Sequence, residues 1–264
     1  MLEFAREIAL EAGKLLLDNM GALSESDVSY KGHIDLVTRV DRESEALVTD
    51  AIRKRFPDHG ILAEEGARRD TSTEFTWIID PLDGTTNYVH SFPLYCVSIG
   101  VARGNEPVVG VIYAPYTNEL FCAETGRGAT LNGRPIRVST ATALSEGLYC
   151  TGFACMRQPE KPDNLGNFIR LLRVCQGVRR GGSAALEMAY VAAGRLEGFW
   201  ELSLSPWDVA AGAVLVREAG GRVTDMLGGD DYLHGRTVLA TNGHLHESLR
   251  SMLDPTERLP EGYP

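Results

Sequence analysis

At Trp77-Ile78-Ile79 an apolar run breaks into Asp80-Pro81-Leu82-Asp83-Gly84-Thr85-Thr86-Asn87, and no other stretch restricts the fold and chemistry of this chain as much. The triplet predicts a short buried strand that stops at Asp80-Pro81, because proline cannot donate to a ladder. Beyond it the spacing predicts a tight Pro-Leu turn on which both Asp side chains and the Leu82 carbonyl converge, then a helix opened by Gly84-Thr85. A strand end is a rigid support for a site, and N–H groups at a helix start attract phosphate. Local chemistry leaves a second reading open, in which Asp83 only N-caps that helix and Asp80 only caps the turn. Two other acidic stretches are built alike: Ile61-Leu62-Ala63-Glu64-Glu65-Gly66 ends an apolar run in carboxylates, and Pro206-Trp207-Asp208 places one at a helix start. Taken singly, Glu64-Glu65 reads as a solvated turn and Asp208 as an acid favoured by the helix macrodipole.

Around these stretches the periodicity predicts two amphipathic helices at the start of the chain, through Ala5–Leu16 and Ala46–Phe56, with Asp41 as the N-cap of the second. An antiparallel hairpin, Leu94–Arg103 with Pro107–Tyr113, continues into Glu119–Ala123 and Gly126–Gly133. Residues 1–140 thus read as an α+β half with a largely antiparallel sheet. Residues 141–264 read as an α/β half: strand Gly147–Gly152, helices Leu165–Gln176 and Ala184–Ala193, strand Gly198–Leu202, helix Val209–Ala219, strand Thr237–Ala240 and helix His244–Leu253. No Pro/Ser-rich linker separates them, so one intimately packed unit with a cleft between the halves is expected. His244-Leu245-His246 reads as surface, and the tail Pro255–Pro264 as loosely held.

Composition decides what such a site can face. Among 264 residues, 44% hydrophobic and 23% charged, Asp plus Glu exceed Lys plus Arg by 36 to 26, a net charge of −10. That balance suits a folded protein and repels a phosphate backbone, which excludes nucleic acid as a direct ligand. A small anionic substrate is repelled too, unless the acids hold cations that reverse the local field. The five cysteines include no C-x-x-C pair, which fits neither a disulfide framework nor a zinc knuckle and suggests a reducing cytoplasm. Glu3, Glu7 and Glu11 interrupt the start where a signal peptide needs an unbroken apolar run, and no run of about 18 apolar residues offers a membrane span.

The order of these motifs resembles the inositol monophosphatase family. The stretch Trp77–Asn87 is similar to its metal-binding signature, and Trp207-Asp208-Val209-Ala210-Ala211-Gly212 with Glu218-Ala219-Gly220-Gly221 to its second. Asp35-Leu36-Val37-Thr38 with Asp41, Glu64-Glu65, Asn118-Glu119-Leu120-Phe121 and Gly126-Arg127-Gly128-Ala129 follow in family order, so the likeness runs from about residue 3 to 253. The resemblance implies a layered αβαβα sandwich mixing α+β and α/β features, a homodimer, and lithium-sensitive, Mg²⁺-dependent hydrolysis of a sugar or cyclitol monophosphate. By resemblance Glu64, Asp80 and the Leu82 carbonyl hold a first metal, Asp80, Asp83 and Asp208 a second, with Glu64 helping a third. Four carboxylates make six repelling pairs, each costing roughly 4 kcal/mol at 4 Å and an effective dielectric of 20, so cations are needed among them. An all-oxygen set favours Mg²⁺ or Mn²⁺ over zinc.

The expected reaction is direct attack of a metal-activated water on phosphorus, with Glu64 and Thr85 orienting and deprotonating it and Asp41 hydrogen-bonding Thr85. Gly84 and Thr85 N–H groups bind the phosphate. Asp83, Gly182, Ser183, Ala184 and Glu201 resemble residues that contact the alcohol part of the substrate. Ser183 stands where threonine is common. Lys31 resembles a basic residue near the third metal, and reads equally as an ordinary exposed lysine. Myo-inositol 1-phosphate is the expected substrate, with 3′-phosphoadenosine 5′-phosphate, fructose 1,6-bisphosphate, histidinol phosphate and NADP as alternatives within the superfamily. A regulatory protein-binding role in transcription or translation is the alternative of another class.

Overall fold

A computed structural model describes residues 1–30, 36–69, 74–157 and 162–256. The first part of the chain supplies α1 (Leu2–Asn19), β1 (Val28–Tyr30), β2 (Leu36–Thr38), α2 (Arg39–Arg55), β3 (Gly60–Ala63), β4 (Arg68–Arg69), β5 (Phe75–Asp83) and α3 (Thr85–Val89), then β6 (Cys96–Arg103), β7 (Glu106–Ala114), β8 (Glu119–Glu124), β9 (Ala129–Leu131) and β10 (Arg134–Pro135). The second supplies β11 (Leu148–Thr151), α4 (Leu165–Leu172), β12 (Gly177–Arg179), α5 (Ala184–Ala192), β13 (Gly198–Leu202), α6 (Pro206–Glu218), β14 (Arg222–Thr224), β15 (Thr237–Thr241) and α7 (His246–Arg250). Lys31 and Asp35 lie outside the described residues, as does the tail from 257 onward.

Five layers follow from which faces are apolar. On α1 the buried positions Ala5, Ile8, Ala9, Ala12 and Leu16 form one helical stripe, and they pack with Val48 and Ile52 of α2 against an eight-stranded sheet of order β10-β9-β8-β7-β6-β5-β3-β4. Every pairing in that sheet is antiparallel except β3 with β5. Its other face meets α5 and α6, whose far sides meet a five-stranded sheet of order β12-β11-β13-β15-β14. On the outer face of this second sheet, Leu171 of α4 and Leu249 of α7 pack with Tyr149, Trp200 and Leu239. The result is an αβαβα sandwich, as the motif order implies.

Helix α6 is buried all round from Val209 to Val216, as a helix between two sheets must be. It comes unusually near the large sheet because Gly100 and Gly110 leave room. A Cβ on Gly110 would stand 2.3 Å from the Ala211 carbonyl oxygen, and one on Gly100 2.7 Å from Ala210 Cβ. That close approach brings the start of α6, with Asp208, down onto the end of β5.

Several sequence expectations need correction. Strand β5 does not stop at Asp80-Pro81 but runs to Asp83, with a register shift at Pro81-Leu82. The N-cap of α2 is Thr38, not Asp41; its side chain accepts from Val40 and Asp41 N–H, and Asp41 closes the capping box from the third helical position. Helix α4 ends at Leu172 rather than Gln176, because the chain then turns at Arg173 into β12, and α7 is confined to five residues. His244 is exposed, yet His246 is fully buried against β14 and β15. Its Nε2 and Nδ1 lie 3.0 and 2.9 Å from Thr224 and Thr241 Oγ1. Thr224 gives its proton to the Asp225 carbonyl and so accepts from Nε2–H, while Thr241 donates to Nδ1. Both ring nitrogens of a neutral imidazole are therefore satisfied.

Candidate active site

The register shift in β5 decides where the carboxylates point. Along a regular strand, residues three apart face opposite sides. Here Asp80 pairs with Ser98 and Asp83 with Cys96, two residues apart on β6, so β5 carries one extra residue and both acids face the same side. A proline is tolerated there because a bulge spares the ladder its N–H. That side looks toward α5 and α6: Ser98 Oγ donates to the Trp207 carbonyl at 3.3 Å, Ser183 Oγ donates to Asp83 Oδ2 at 2.7 Å, and the Ala185 N–H donates to the same oxygen at 2.8 Å. Asp208, third residue of α6, accepts the Ser205 N–H at 2.6 Å in a capping box, which fixes its direction. Asp80 Oδ1 accepts the Leu82 N–H at 3.0 Å.

Glu64 follows β3, and its N–H donates to the Ile79 carbonyl at 3.2 Å, so the parallel pairing of β3 with β5 sets it beside Asp80. The electrostatics show the grouping. Burial pushes Asp80 well above the usual carboxylate range, and the negative charges of Glu64, Asp83 and Asp208 push it further. Burial also raises Asp208, with Asp83 as the next cause. Asp83 is pushed up to about 6 by burial, against the pull of its Ser183 and Ala185 donors. Among the described residues no lysine or arginine forms an ion pair with Asp80, Asp83 or Asp208.

Such a set fits hard divalent cations by its chemistry. Buried carboxylates of like charge with oxygen donors only are stabilised by a bound cation of the Mg²⁺ type. Among the described residues, no three of these side chains are already closed into a ready-made ion cage, each Asp being turned to a backbone or hydroxyl donor.

Beside the acids, Gly84 adopts φ +97°, and a Cβ there would stand 2.9 Å from the Leu94 carbonyl oxygen, so glycine is required by both conformation and space. It starts α3, and Thr85 Oγ1 lies 2.9 Å from Asp41 Oδ1 and 3.2 Å from the Leu82 carbonyl oxygen. Asp41 is buried, which raises its pKa, and its other oxygen accepts from Thr38 N–H and Oγ1. Glu201 lies near the end of β13; it is buried, accepts the Ala154 N–H at 3.2 Å, and burial with the nearby Glu187 charge pushes it up to about 8. Gly152 makes its room, since a Cβ there would lie 2.1 Å from Glu201 Oε1. Gly182 takes φ +83° and, with buried Ser183 and Ala184, leads into α5.

Sequence reasoning overlooked the polar face of α2. Ser44 Oγ donates to the Pro81 carbonyl at 3.0 Å, and the Glu45 carboxylate accepts Glu65 and Ala67 N–H at 2.6 and 2.9 Å. Asp41, Ser44 and Glu45 thus tie one helix to three segments of the site. The signal was present: these polar residues share the stripe of Val48 and Ile52, where an apolar face is expected. Asn87 was also overlooked; its Nδ2 donates to the Leu94 and Gly181 carbonyls at 2.5 and 2.7 Å.

Comparisons with known proteins agree with this architecture. The model of the inositol monophosphatase family matches residues 1–256. An inositol-1-monophosphatase of Synechocystis is 47% identical over 257 residues, covering 97% of this chain and 89% of the relative. The Nus factor SuhB of Escherichia coli is 44% identical, covering 92% of this chain and 91% of the relative. A solved inositol monophosphatase from Anabaena superposes with a TM-score of 0.86 at 44% identity, covering 96% of each chain.

Proposed function

Because this chain belongs to the inositol monophosphatase family and is a phosphoric monoester hydrolase, we propose that it hydrolyses myo-inositol 1-phosphate to inositol and phosphate. The observation that carries this reading is the bulge in β5, which turns Asp80 and Asp83 to one side, toward Asp208. Glu64, Asp80, Asp83, Asp208 and the Leu82 carbonyl would hold the divalent cations, which when bound neutralise the phosphate and acidify the attacking water. We take Mg²⁺ as the ion, two or three per site, with Mn²⁺ as a substitute. Sensitivity to lithium, a homodimeric state and a cytoplasmic location complete the reading, supported by family resemblance; no helix among the described residues is long and apolar enough to cross a membrane.

The chain's own residues divide the work. Thr85 has one hydroxyl proton, and giving it to Asp41 Oδ1 leaves the oxygen lone pairs to accept from the attacking water. Glu64, in the turn after β3, orients the same water and takes up its proton. N–H groups of Gly84 and Thr85 hold the phosphate as charge builds on its oxygens. Asp83, held by Ser183, and Glu201 receive the ring hydroxyls, while Gly182 and Ala184 wall the ring.

Phosphate release from inositol 1-phosphate, with and without Mg²⁺ and Li⁺, tests the reading. A clear preference for 3′-phosphoadenosine 5′-phosphate, fructose 1,6-bisphosphate, histidinol phosphate or NADP would move the substrate elsewhere in the superfamily. The 44% identity to a relative named as a Nus factor favours one second reading, a protein-binding role in transcription. Stable polymerase association without phosphatase activity would place that role first.

A further inference from the structure

The loop from Gly181 to Ser183 presses on the site from the α5 side, and a buried acid with no part in the steps above holds it. Glu187, on the first turn of α5, is 4% exposed, and its Oε1 accepts the Gly181 N–H at 2.5 Å. The Gly181 carbonyl in turn accepts from Asn87 Nδ2, whose nitrogen also donates to the Leu94 carbonyl. Next, the Gly182 carbonyl oxygen stands only 3.3 Å from where a Cβ on Gly84 would be, and Ser183 donates to Asp83. One carboxylate therefore heads a path of contacts that ends at the Gly84 turn and at Asp83.

Burial disfavours the charged form of that side chain, and its donors offset this only in part. Its donors are the Gly181 N–H and the Cys150 thiol, with Arg180 acting from farther away. Every other residue of α5 is Ala, Leu, Met, Val or Tyr, so an apolar side chain would suit the layer between the sheets better. The carboxylate's return is a loop held in one place.

We propose that Glu187 is a positioning residue for hydrolysis: by gripping the Gly181 N–H it sets Gly182 against Gly84 and Ser183 against Asp83, keeping that acid and the turn in register. The proposal rests on the reading of the site as a divalent-cation-dependent phosphatase.

Glu187→Ala, Glu187→Gln and Gly181→Ala are compared with the wild type by circular dichroism, by calorimetric titration with Mg²⁺ alone and by phosphate release. Gln keeps an oxygen that can accept the Gly181 N–H. Gly181→Ala places a Cβ 2.6 Å from Glu187 Oε1 and forces the same contact apart from the loop side. Glu187→Ala and Gly181→Ala are expected to bind Mg²⁺ about 10-fold more weakly and to lose about 10- to 100-fold in kcat, with KM changed by less than about 3-fold. Glu187→Gln is expected within about 3-fold of the wild type on all three readings. Folded Glu187→Ala and Gly181→Ala that match the wild type within about twofold in Mg²⁺ affinity and kcat overturn the proposal. So does Glu187→Gln if it is as impaired as Glu187→Ala. If Glu187→Ala does not fold, Gly181→Ala decides by the same readings. A wild type that binds Mg²⁺ but releases no phosphate removes the phosphatase reading, while the titrations still judge Glu187.

Discussion

Thr85 Oγ1 and Asp41 Oδ1 stand 2.9 Å apart across 44 residues of chain, joining the start of α3 to the first turn of α2. With its proton given to Asp41, the threonine oxygen is free to accept one from water. Thr85→Ala is therefore expected to lower kcat by about 100-fold or more while KM stays within a few-fold, as phosphate-release kinetics will show. Asp41→Asn separates chemistry from capping: its amide oxygen can still accept the Thr38 N–H, so stability is expected to fall by no more than about 1 kcal/mol, and a kcat drop beyond about 10-fold in the folded variant assigns Asp41 to the chemistry as well.

Mutual repulsion among Asp80, Asp83, Asp208 and Glu64 predicts opposite effects of one substitution in two buffers. In chelator, Asp208→Asn is expected to raise stability by about 1 kcal/mol, a Tm gain of roughly 2–4 °C, because a buried like charge is removed. In Mg²⁺ the order reverses, since the wild type gains more from the cation than the variant can. Differential scanning calorimetry in the two buffers checks both signs.

Gly110→Ala tests the close approach of α6. Its Cβ would fall 2.3 Å from the Ala211 carbonyl oxygen, so helix or strand must move. The expected cost is about 1–3 kcal/mol by thermal unfolding, with lowered phosphate release from displacement of Asp208. Unchanged stability would mean the contact yields without strain.

His246 gives the fold an acid-sensitive element away from the site. Burial lowers its pKa from 6.5 to about 4. Below pH 6.5 the unfolded chain binds a proton that the folded one refuses, so stability from this group is complete above 6.5 and lost progressively as pH falls toward 4. The expected loss is about 3 kcal/mol across that window, and His246→Gln removes this part of the slope. Tm measured against pH for both proteins reads it directly.

Much of this site can be read in the sequence because its acids lie at abrupt ends of apolar runs, and because β13 and α5 are apolar runs broken by a single acid each. What escaped is what depends on partners distant in the chain. A proline after Asp80 ordinarily ends a strand, and only pairing with β6 reveals that β5 passes it in a bulge. The spacing of His244 and His246 tells nothing of Thr224 and Thr241, which make the buried imidazole tolerable. Ser44 and Glu45, unlike Asp41 beside them, drew no expectation, because the backbone groups they face at Pro81, Glu65 and Ala67 lie far along the chain. Glu187 is hidden for the same reason, since its partner Gly181 belongs to the preceding loop.

The buried polar face of α2 carries a lesson for anyone redesigning this scaffold. Repacking programs of thought that reward oil in the interior would trade Ser44 and Glu45 for leucine or alanine, and the helix itself would tolerate the exchange. The β5 bulge at Pro81 and the turn from Glu65 to Ala67 would then lose their common anchor, leaving an oily helix beside reacting groups that no longer meet.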